Sequence, residues 1–397
     1  MSETLAIDGG SPVREKRLPY GQQWIQDDDN QSILEVLKSN WLTTGPKVTE
    51  FEQEFKSFVN AREAIAVCNG TAALHAAVYA AKISPGDEVI VPPMTFAASA
   101  NCVVYQGGKP VFVDVEKDTL LIDPKKIEKK INSRTKAVIA VDYTGQPCDY
   151  DELRKISDKH GLTLIADACH AIGGSYKGKS VGSLADLNTF SFHPVKHITT
   201  GEGGMISTDD PALAEKMRVF RNHGITTDHR QREQLGSWFY EMIDLGFNYR
   251  LTDIQCVLGM SQLKKLPDWL KHRTAIANTY DKSFKEVKAV NPLIVRDNVT
   301  HAYHIYMIQL DLDQLRVGRT QVFSALVAEG IGVNVHYIPV HLHPYYRNHF
   351  DTGPGDCPVA EAAYERLITL PIFPRMNDQD VEDVIDAVKK VVNAYTK

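Results

Sequence analysis

Residues 191–205 read SFHPVKHITTGEGGM and carry the pattern that decides the fold. The largely apolar run 188–192 predicts a β-strand that enters this stretch, and the run 205–207 predicts a second one. Lys196 and the small residues 199–204 lie between them and predict a turn. Burial beside two strands would disfavour the ammonium form of Lys196, so that its amine could act as a nucleophile or base. A solvated turn lysine fits this stretch alone equally well.

A second segment, residues 164–174, reads LIADACHAIGG and predicts a buried strand that ends at Asp167. A charged residue at the carboxyl end of a strand lies where α/β sheets bind ligands. The alternative interpretation is an aspartate that only caps the following turn.

A third segment, residues 64–78, reads AIAVCNGTAALHAAV and predicts a strand, an Asn-Gly turn and an alanine-rich helix. Thr71 and Ala72 would expose free backbone amides at the helix N-terminus, which is a ready anion site. The loop is neither a GxGxxG nor a Walker motif, so its specificity alone is low. An anion site, a strand-end acid and a turn lysine together favour a pyridoxal phosphate site, in which the acid keeps the ring nitrogen protonated.

The segments NGTAAL, PPMTFAASAN, ADACHAIG, SFHPVKHITTGEGG and GFNYRL, in this order, resemble the DegT/StrS-type sugar-nucleotide aminotransferases. The resemblance implies a pyridoxal 5'-phosphate enzyme of the aspartate-aminotransferase fold, in the α/β class. We expect a large domain over residues 12–254 with a mostly parallel seven-stranded sheet, and a smaller C-terminal α+β domain over 255–397. Within the family, SFHPVKHITTGEGGM together with the early segments PYGQQWI and NWLTTGP is most similar to the pseudaminic acid pathway branch. Its members aminate C4 of a UDP-linked 4-keto-6-deoxy-N-acetylhexosamine for surface or flagellar glycans.

The resemblance also implies the site residues. Lys196 and Asp167 are the expected catalytic residues. The expected cofactor contacts are Thr71, Ala72, Phe96, Asp167, His170, Ser191, Lys196 and Asn248. The expected substrate contacts are Tyr20, Asn40, Trp41, Leu42, Thr43, His336, Tyr337, Ile338 and Pro339. Asn248 is expected to reach across a homodimer interface to the partner's cofactor phosphate, which makes the active site a shared one.

Bland alternatives remain open for several of these residues. Phe96 and Trp41 could be packing residues, and His170 could be a structural histidine. Asn248 could cap the helix that begins near Thr252.

The family's chemistry implies that Lys196 bonds to the cofactor aldehyde and then, once freed, moves protons at Cα of the amino donor. L-glutamate is the expected donor and a nucleotide sugar the acceptor. Dehydratase relatives carry histidine where this chain has Lys196, so the lysine favours transamination.

Composition bounds the partners and the compartment. The chain has 397 residues, a formal net charge of −6 and no long basic run, which argues against nucleic acid or an anionic membrane as the main partner. Six scattered cysteines without a CxxC pair are typical of a reducing cytoplasm, and no metal motif is evident. The start MSET lacks the regions of a signal peptide, and no apolar run approaches the length that spans a bilayer. We therefore expect a cytoplasmic enzyme.

Strands and helices alternate from residue 64 to 208, which predicts βαβ units. The predicted strands are 64–68, 88–92, 110–114, 136–142, 162–166, 187–192 and 203–207. The predicted helices between them are 71–83, 94–106, 123–132 and 150–160. Farther on, the pattern predicts strands at 304–310 and 333–337 and a helix at 319–329.

Three other functions fit part of the pattern. One is an aminotransferase for a different UDP- or dTDP-linked 3- or 4-keto sugar. Another is a cysteine desulfurase-like lyase, for which Cys357 in a glycine-rich segment is the loop-like candidate. The third is a non-catalytic cofactor-binding regulator, which would need a DNA-binding module that this chain does not show.

Overall fold

A computed structural model describes residues 4–227 and 229–397 of the chain. Its strands are β1 (Glu63–Val67), β2 (Glu88–Val91), β3 (Lys109–Phe112), β4 (Thr135–Val141), β5 (Thr163–Asp167), β6 (Ser175–Tyr176), β7 (Lys179–Ser180), β8 (Leu187–Ser191), β9 (Gly204–Thr208), β10 (Val290–Pro292), β11 (Val299–Thr300), β12 (Tyr306–Leu310) and β13 (Leu367–Leu370). Its helices are α1 (Asp27–Leu37), α2 (Pro46–Val59), α3 (Gly70–Ala80), α4 (Ala98–Tyr105), α5 (Pro124–Ile127), α6 (Tyr150–His160), α7 (Pro211–Arg221), α8 (His229–Gln234), α9 (Asp253–Phe284), α10 (Arg319–Ala328), α11 (Pro344–Phe350), α12 (Pro358–Tyr364) and α13 (Asp378–Tyr395).

Seven strands form the main sheet in the order β1-β9-β8-β5-β4-β2-β3. The pairs β2–β3, β2–β4, β4–β5 and β5–β8 are parallel, whereas β9 runs antiparallel to both β1 and β8. The predicted mostly parallel seven-stranded sheet is therefore confirmed. Each of its strands was predicted to within two residues at both ends.

The sheet is covered on both faces, and this explains why its strands read as continuous apolar runs. In β1, Ile65 and Val67 belong to one hydrophobic core, while the alternating Ala64 and Ala66 belong to the other. Helices α3, α4, α6 and α7 bury residues in the first core, and α2 and α9 bury residues in the second.

Several predicted elements differ from the structure. The helix predicted over 94–106 begins only at Ala98, and before it the amide of Thr95 donates to the carbonyl of Pro93 at 3.1 Å in a tight turn. The helix predicted over 123–132 is one α-turn followed by the 3₁₀ turn Glu128–Lys130. The strand predicted at 304–310 begins at Tyr306, since the backbone amide of His304 donates to the carbonyl of Thr144. The strand predicted at 333–337 is reduced to a single bridge between Asn334 and Thr369.

A third hydrophobic core lies beyond the main sheet. Strands β10, β12 and β13 form an antiparallel three-stranded sheet, packed with α10 and α13. Helix α9 contributes to the second and third cores, from Cys256 to Trp269 beside the main sheet and from Ile276 to Phe284 beside the small one. Leu18, from the N-terminal segment, also packs in the third core. The division of the chain at 254/255 stays a proposal.

No helix within residues 4–227 and 229–397 combines the length and apolar character needed to cross a bilayer. The same residues contain no group of three or more His, Cys, Asp or Glu side chains placed to hold a metal ion.

Candidate active site

The carboxyl ends of two neighbouring parallel strands bring the predicted residues together. Asp167 is the last residue of β5 and pairs with Thr189 of β8, and Ser191 is the last residue of β8. The turn after β8 carries Lys196, whose backbone amide donates to the carbonyl of His193 at 2.8 Å. The chain then returns along β9, antiparallel to β8. Open α/β sheets bind ligands at the carboxyl ends of their parallel strands.

Asp167 is a buried carboxylate with neutral partners. Its Oδ2 accepts a hydrogen bond from Ser99 Oγ at 2.6 Å, and Ser99 is in turn 2.6 Å from Thr95 Oγ1. Its Oδ1 accepts from the amide of Cys169 at 3.2 Å. None of the ion pairs found among the described residues involves Asp167, although it is only 6% exposed. A buried anion of this kind is stabilised by a cationic ligand, such as a protonated pyridine nitrogen.

Ser99 and Thr95 were missed by the sequence interpretation. Both lie in the segment PPMTFAASAN, directly before and within the start of α4. Their signal was present in the sequence, since two hydroxyl residues four apart follow a strand end. The sequence alone could not show that they face Asp167.

The N-terminus of α3 lies against the end of β8. The side chain of Asn69 caps this helix and accepts from the amide of Ala72 at 2.8 Å. The prediction of a free amide at Ala72 is therefore wrong, because the cap already uses it. The earlier amides, of Gly70 and Thr71, have no acceptor within the helix.

Gly70 is the closest point between this helix and Ser191. A Cβ atom placed on Gly70 would lie 2.8 Å from Ser191 Cβ and 3.1 Å from its Oγ. The Ser191 hydroxyl and the N-terminal amides of Gly70 and Thr71 thus lie around a position where any side chain would clash. We call this group of three the cradle, and it is suited to binding a phosphate group.

Lys196 is half-buried, and its Nζ lies 3.4 Å from His304 Nε2. Burial lowers the pKa of the Lys196 amine below its usual value, and the nearby Asp167 carboxylate only partly opposes this. The interpretation of Lys196 as a solvated turn lysine is therefore wrong. His304 was not among the predicted site residues.

His170, Tyr337 and Phe96 line the same region. Tyr337 Oη is 3.2 Å from His170 Nε2, and the rings of Tyr337 and Phe96 are 6.0 Å apart. Phe96 is 62% exposed, so it is not a core residue of α4. His170 is buried, burial lowers the pKa of its ring well below the usual value, and its Nδ1 has no partner in the described chain.

The predicted substrate residues fall into two groups. Tyr20 packs on His336 with ring centroids 5.3 Å apart, and Gly21 lies beside Val195 on the lysine turn. Tyr337 follows in the same segment, with Ile338 exposed and Pro339 buried. These residues join the neighbourhood of Lys196.

Residues 40–43 instead contact the start of α9. Thr43 forms a bridge with Thr252, and the carbonyl of Leu42 accepts from the amide of Asp253 at 3.0 Å. Trp41 lies in the same loop and is half-buried, and Asn40 precedes it with an exposed side chain.

Asn248 is exposed and pairs through its backbone with Asn222. It does not cap α9, because Thr252 does so in a capping box with Gln255. The recorded contacts of Leu42 and Thr43 lie at the start of α9, and the backbone pairing of Asn248 is with Asn222.

Cys357 does not fit the desulfurase-like alternative. It is fully buried at the N-terminus of α12, and burial raises the pKa of its thiol. A reactive cysteine needs solvent access and a low pKa. Cys357 has neither, so the desulfurase-like alternative is wrong for the cysteine on which it depended.

The site residues fit pyridoxal phosphate. They offer an amine with a lowered pKa, a buried carboxylate without a cationic partner, a cradle for a phosphate and an exposed aromatic ring. These four features correspond to the aldehyde, the ring nitrogen, the phosphate and the ring face of the cofactor.

Comparison with known proteins supports this fit. Residues 23–389 match the DegT/DnrJ/EryC1/StrS aminotransferase family. The protein MJ1066 of Methanocaldococcus jannaschii is 44% identical over 382 residues, covering 96% of this chain and 99% of that protein. The spore coat polysaccharide biosynthesis protein SpsC of Bacillus subtilis is 43% identical over 377 residues, covering 94% of this chain and 97% of that protein.

Solved structures of aminotransferases also superpose on this chain. The sugar aminotransferase Spr1654 of Streptococcus pneumoniae, described as putative and solved in its PLP form, superposes with a TM-score of 0.89 at 31% identity, covering 95% of this chain and 99% of that one. PseC of Helicobacter pylori, an aminotransferase involved in pseudoaminic acid biosynthesis, superposes with a TM-score of 0.89 at 33% identity, covering 96% and 100%. This chain belongs to the DegT/DnrJ/EryC1/StrS family and is a pyridoxal phosphate-dependent sugar aminotransferase.

Proposed function

We propose that this protein transfers an amino group from L-glutamate to the C4 keto group of a UDP-linked 4-keto-6-deoxy-N-acetylhexosamine, for bacterial surface or flagellar glycan synthesis. The observation that carries the transaminase chemistry is the convergence of Lys196, Asp167 and the Gly70–Ser191 cradle at the ends of β5 and β8. The choice of sugar is supported by the structural likeness to PseC and by the polysaccharide pathway named for SpsC.

Five features of the chain would hold the cofactor. Asp167, oriented by Ser99 and the Cys169 amide, would face the ring nitrogen. Ser191 and the amides of Gly70 and Thr71 would bind the phosphate, Phe96 would cover the ring face, and His170 would lie beside the ring. When bound, pyridoxal phosphate supplies an aldehyde carbon that reacts with amines and a ring that withdraws electrons.

The chain's own acid–base group is Lys196. Because burial lowers the pKa of its amine, a larger fraction is unprotonated near neutral pH. The free Nζ takes the Cα proton of the amino donor in the first half of the reaction. In the second half it delivers a proton to the sugar carbon that carried the keto group. Neighbouring groups favour this state, since His170 and His304 have pKa values held low by burial and add no negative charge beside the amine.

The substrate side of the site is proposed from the second group of contacts. Tyr20, His336 and Tyr337 form a cluster of rings next to the lysine turn, with centroids 5.3 and 4.9 Å apart. Burial lowers the pKa of His336 to about 4, so this ring is neutral at physiological pH. Neutral aromatic and hydroxyl groups suit a sugar ring. Asn40, Trp41, Leu42, Thr43, Ile338 and Pro339 are proposed to complete the substrate pocket.

We further propose a homodimer with a shared active site. The segment 235–247 exposes apolar side chains to an unusual extent: Leu235, Trp238, Phe239, Met242, Ile243 and Leu245 are between 54% and 84% exposed. Large exposed apolar side chains grouped in one short segment are typical of an interaction site. Asn248 follows directly and is exposed, which supports its expected contact with the partner's cofactor.

The proposed substrate is tested with a panel of UDP- and dTDP-linked 3-keto and 4-keto sugars. Each sugar is incubated with the purified holoenzyme and L-glutamate, L-aspartate or L-glutamine. The proposal expects the UDP-linked 4-keto-6-deoxy-N-acetyl sugar with L-glutamate to give the highest kcat/KM, with the amine at C4 by NMR. A higher kcat/KM for a dTDP-linked or 3-keto sugar would replace it with the alternative sugar aminotransferase.

A further inference from the structure

His304 is held in place from two sides, although nothing in the pattern of the chain marked it as a site residue. It lies just before β12, and its side chain is 5% exposed. Its backbone amide donates to the carbonyl of Thr144 at 2.9 Å, and its carbonyl accepts from Arg273 Nη1 at 3.3 Å. The loop after β4 and helix α9 therefore fix where its ring lies.

The ring of His304 is the middle one of three. Its centroid is 4.3 Å from that of His170 and 5.5 Å from that of His197. Its Nε2 faces Lys196 Nζ at 3.4 Å, which is the long end of a hydrogen bond. Its Nδ1 is buried and has no partner among the described residues. The contact with Lys196 is therefore the one polar contact recorded for this ring among the described residues.

The protonation states of His304 and Lys196 together decide the direction of that contact. Burial, and next the Lys196 charge, lower the pKa of His304 well below its usual value, so the ring is neutral. A neutral imidazole has one donor nitrogen and one acceptor nitrogen. The ammonium form of Lys196 can only donate, so in that form Nε2 of the neutral ring is the acceptor and the proton lies on Nδ1.

We propose that His304 is a positioning residue for Lys196: its Nε2 accepts a hydrogen bond from the lysine amine and fixes Nζ whenever that amine is not bonded to the cofactor. A lysine side chain has large rotamer freedom, and proton transfer requires the transferring atom to be in one place. This inference rests on the proposed role of Lys196 and adds the residue that orients it.

A histidine suits this task better than a carboxylate. A carboxylate beside Nζ would also orient the amine, but its charge would raise the pKa of Lys196 and favour the inactive ammonium form. An uncharged acceptor orients the amine and stabilises the ammonium less. The other titratable groups around Nζ are Asp167, Cys169, His170, His197 and His336.

The test measures the amine itself. The full-length chain, freed of cofactor, is treated with trinitrobenzenesulfonate over a range of pH, and labelling of Lys196 is followed by peptide mass spectrometry. The variants are His304→Phe, which keeps a ring but removes the acceptor, and His304→Gln, which offers an acceptor oxygen. His272→Phe is the matched control. The imidazole of His272, on α9, donates to the carbonyl of Met376 at 2.8 Å and not to a residue of the active site.

The proposal expects His304→Phe to shift the labelling midpoint of Lys196 to lower pH by about 0.5 units or more, since the ammonium loses an acceptor. In the holoenzyme the same variant is expected to lower kcat at least about tenfold with KM for the sugar nearly unchanged. His304→Gln should restore part of both, and His272→Phe should match the wild type.

An unshifted midpoint in His304→Phe, or identical values for His304→Phe and His304→Gln, would overturn the proposal in favour of a packing role. If His304→Phe does not fold, His304→Asn replaces it, because its shorter amide cannot reach Nζ and should behave as the loss of the acceptor. The labelling needs no sugar, so a failed sugar panel with a shifted midpoint would reject only the proposed substrate.

Discussion

Lys196 and Asp167 show how environment, rather than residue type, sets the chemistry of this site. Asp167 ends one buried strand, and Lys196 lies in the turn that follows the next strand of the sheet. Lys196 lies beside histidines that are neutral, and burial lowers its pKa. Asp167 receives hydrogen bonds from Ser99 and an amide, which fix the orientation of its carboxyl group. An amine with a lowered pKa and an oriented carboxyl group are thus placed at one sheet edge.

Replacement of Lys196 is the first prediction at this scale. Lys196→Ala should lower kcat by about 10³-fold or more, because general acid–base and covalent roles are lost together. Steady-state assays with the best sugar of the panel measure this. Lys271→Ala, a change at a 79% exposed lysine paired with Asp268, is the control and should keep wild-type turnover. Turnover within tenfold of wild type in Lys196→Ala would contradict the assignment.

Gly70 gives a prediction that only the structure could suggest. Gly70→Ala places a methyl group 2.8 Å from Ser191 Cβ and into the proposed phosphate cradle. We expect the Kd of pyridoxal phosphate to rise at least about tenfold, since overpacking of this kind costs about 1–3 kcal/mol. Fluorescence titration of the cofactor-free chain measures it. Gly353→Ala, where the methyl group meets open space, should bind as the wild type does. Equal affinities would argue against the cradle.

At the residue scale the sequence predicted the reactive groups but not their supports. Lys196 and Asp167 stand out because a charge inside an apolar pattern is unusual. Asn69 was recognised as part of a turn, but which amide its side chain binds depends on its rotamer. His304 lies far from Lys196 in sequence, and only the packing of the loop before β12 against the loop after β4 brings the two together.

At the scale of elements, the loop after β4 contains an acid with an unusual proton affinity. Asp142 is fully buried, its Oδ1 accepts from the Cys148 amide and from Tyr150 Oη, both at 2.9 Å, and its Oδ2 has no partner in the described residues. Burial raises its pKa from near 4 to about 7. The same loop supports the backbone of His304 through Thr144.

This loop makes stability depend on pH. Because the folded-state pKa of Asp142 is raised, its proton stabilises the fold fully below about pH 4, and that stabilisation is lost as the pH rises through about 7. Asp142→Asn removes the titration. We therefore expect the melting temperature of the variant, relative to wild type, to increase from pH 5.5 to pH 8.5.

Calorimetry at pH 5.5, 7 and 8.5 checks this expectation. Asp268→Asn, at an aspartate whose side chain is 83% exposed, is the control and should show a constant difference from wild type. A difference for Asp142→Asn that stays constant or falls with rising pH would contradict the titration of this loop.

The elements could be predicted from the sequence where both of their faces are buried, because such elements are continuous apolar runs. This holds for the seven strands of the main sheet and for α6, which has the predicted bounds. The segment 333–337 looked like a strand for the same reason, yet only Asn334 pairs, with Thr369. Its side chains turn to other partners, as His336 packs on Tyr20, and such tertiary choices are absent from local pattern.

At the scale of the whole molecule, the segment 235–247 is the feature that a single chain does not explain. Trp238 is 84% exposed and Leu245 is 67% exposed, beside an exposed Asn248. Apolar side chains of this size are stabilised only when another surface covers them. A second copy of the chain is the cover that the proposed shared active site requires.

The dimer is tested with the double variant Trp238→Asp, Ile243→Asp. Two charges in an apolar interface should shift the protein from dimer to monomer and lower kcat/KM, because the partner's residue is withdrawn from each site. Sedimentation velocity and the sugar assay measure the two effects. Ile294→Asp, at another exposed apolar position, should leave both unchanged. A double variant that stays dimeric, or a wild type that is monomeric and fully active, would contradict the shared site.

The central claim is that the amine of Lys196 and the carboxylate of Asp167 contact the same pyridoxal phosphate molecule. The most direct measurement is reduction of the holoenzyme with sodium borohydride, followed by proteolysis and mass spectrometry. The account predicts a phosphopyridoxyl group on the peptide that contains Lys196, and its loss in Lys196→Ala. A phosphopyridoxyl group on a different lysine, with Lys196 unmodified, would contradict it.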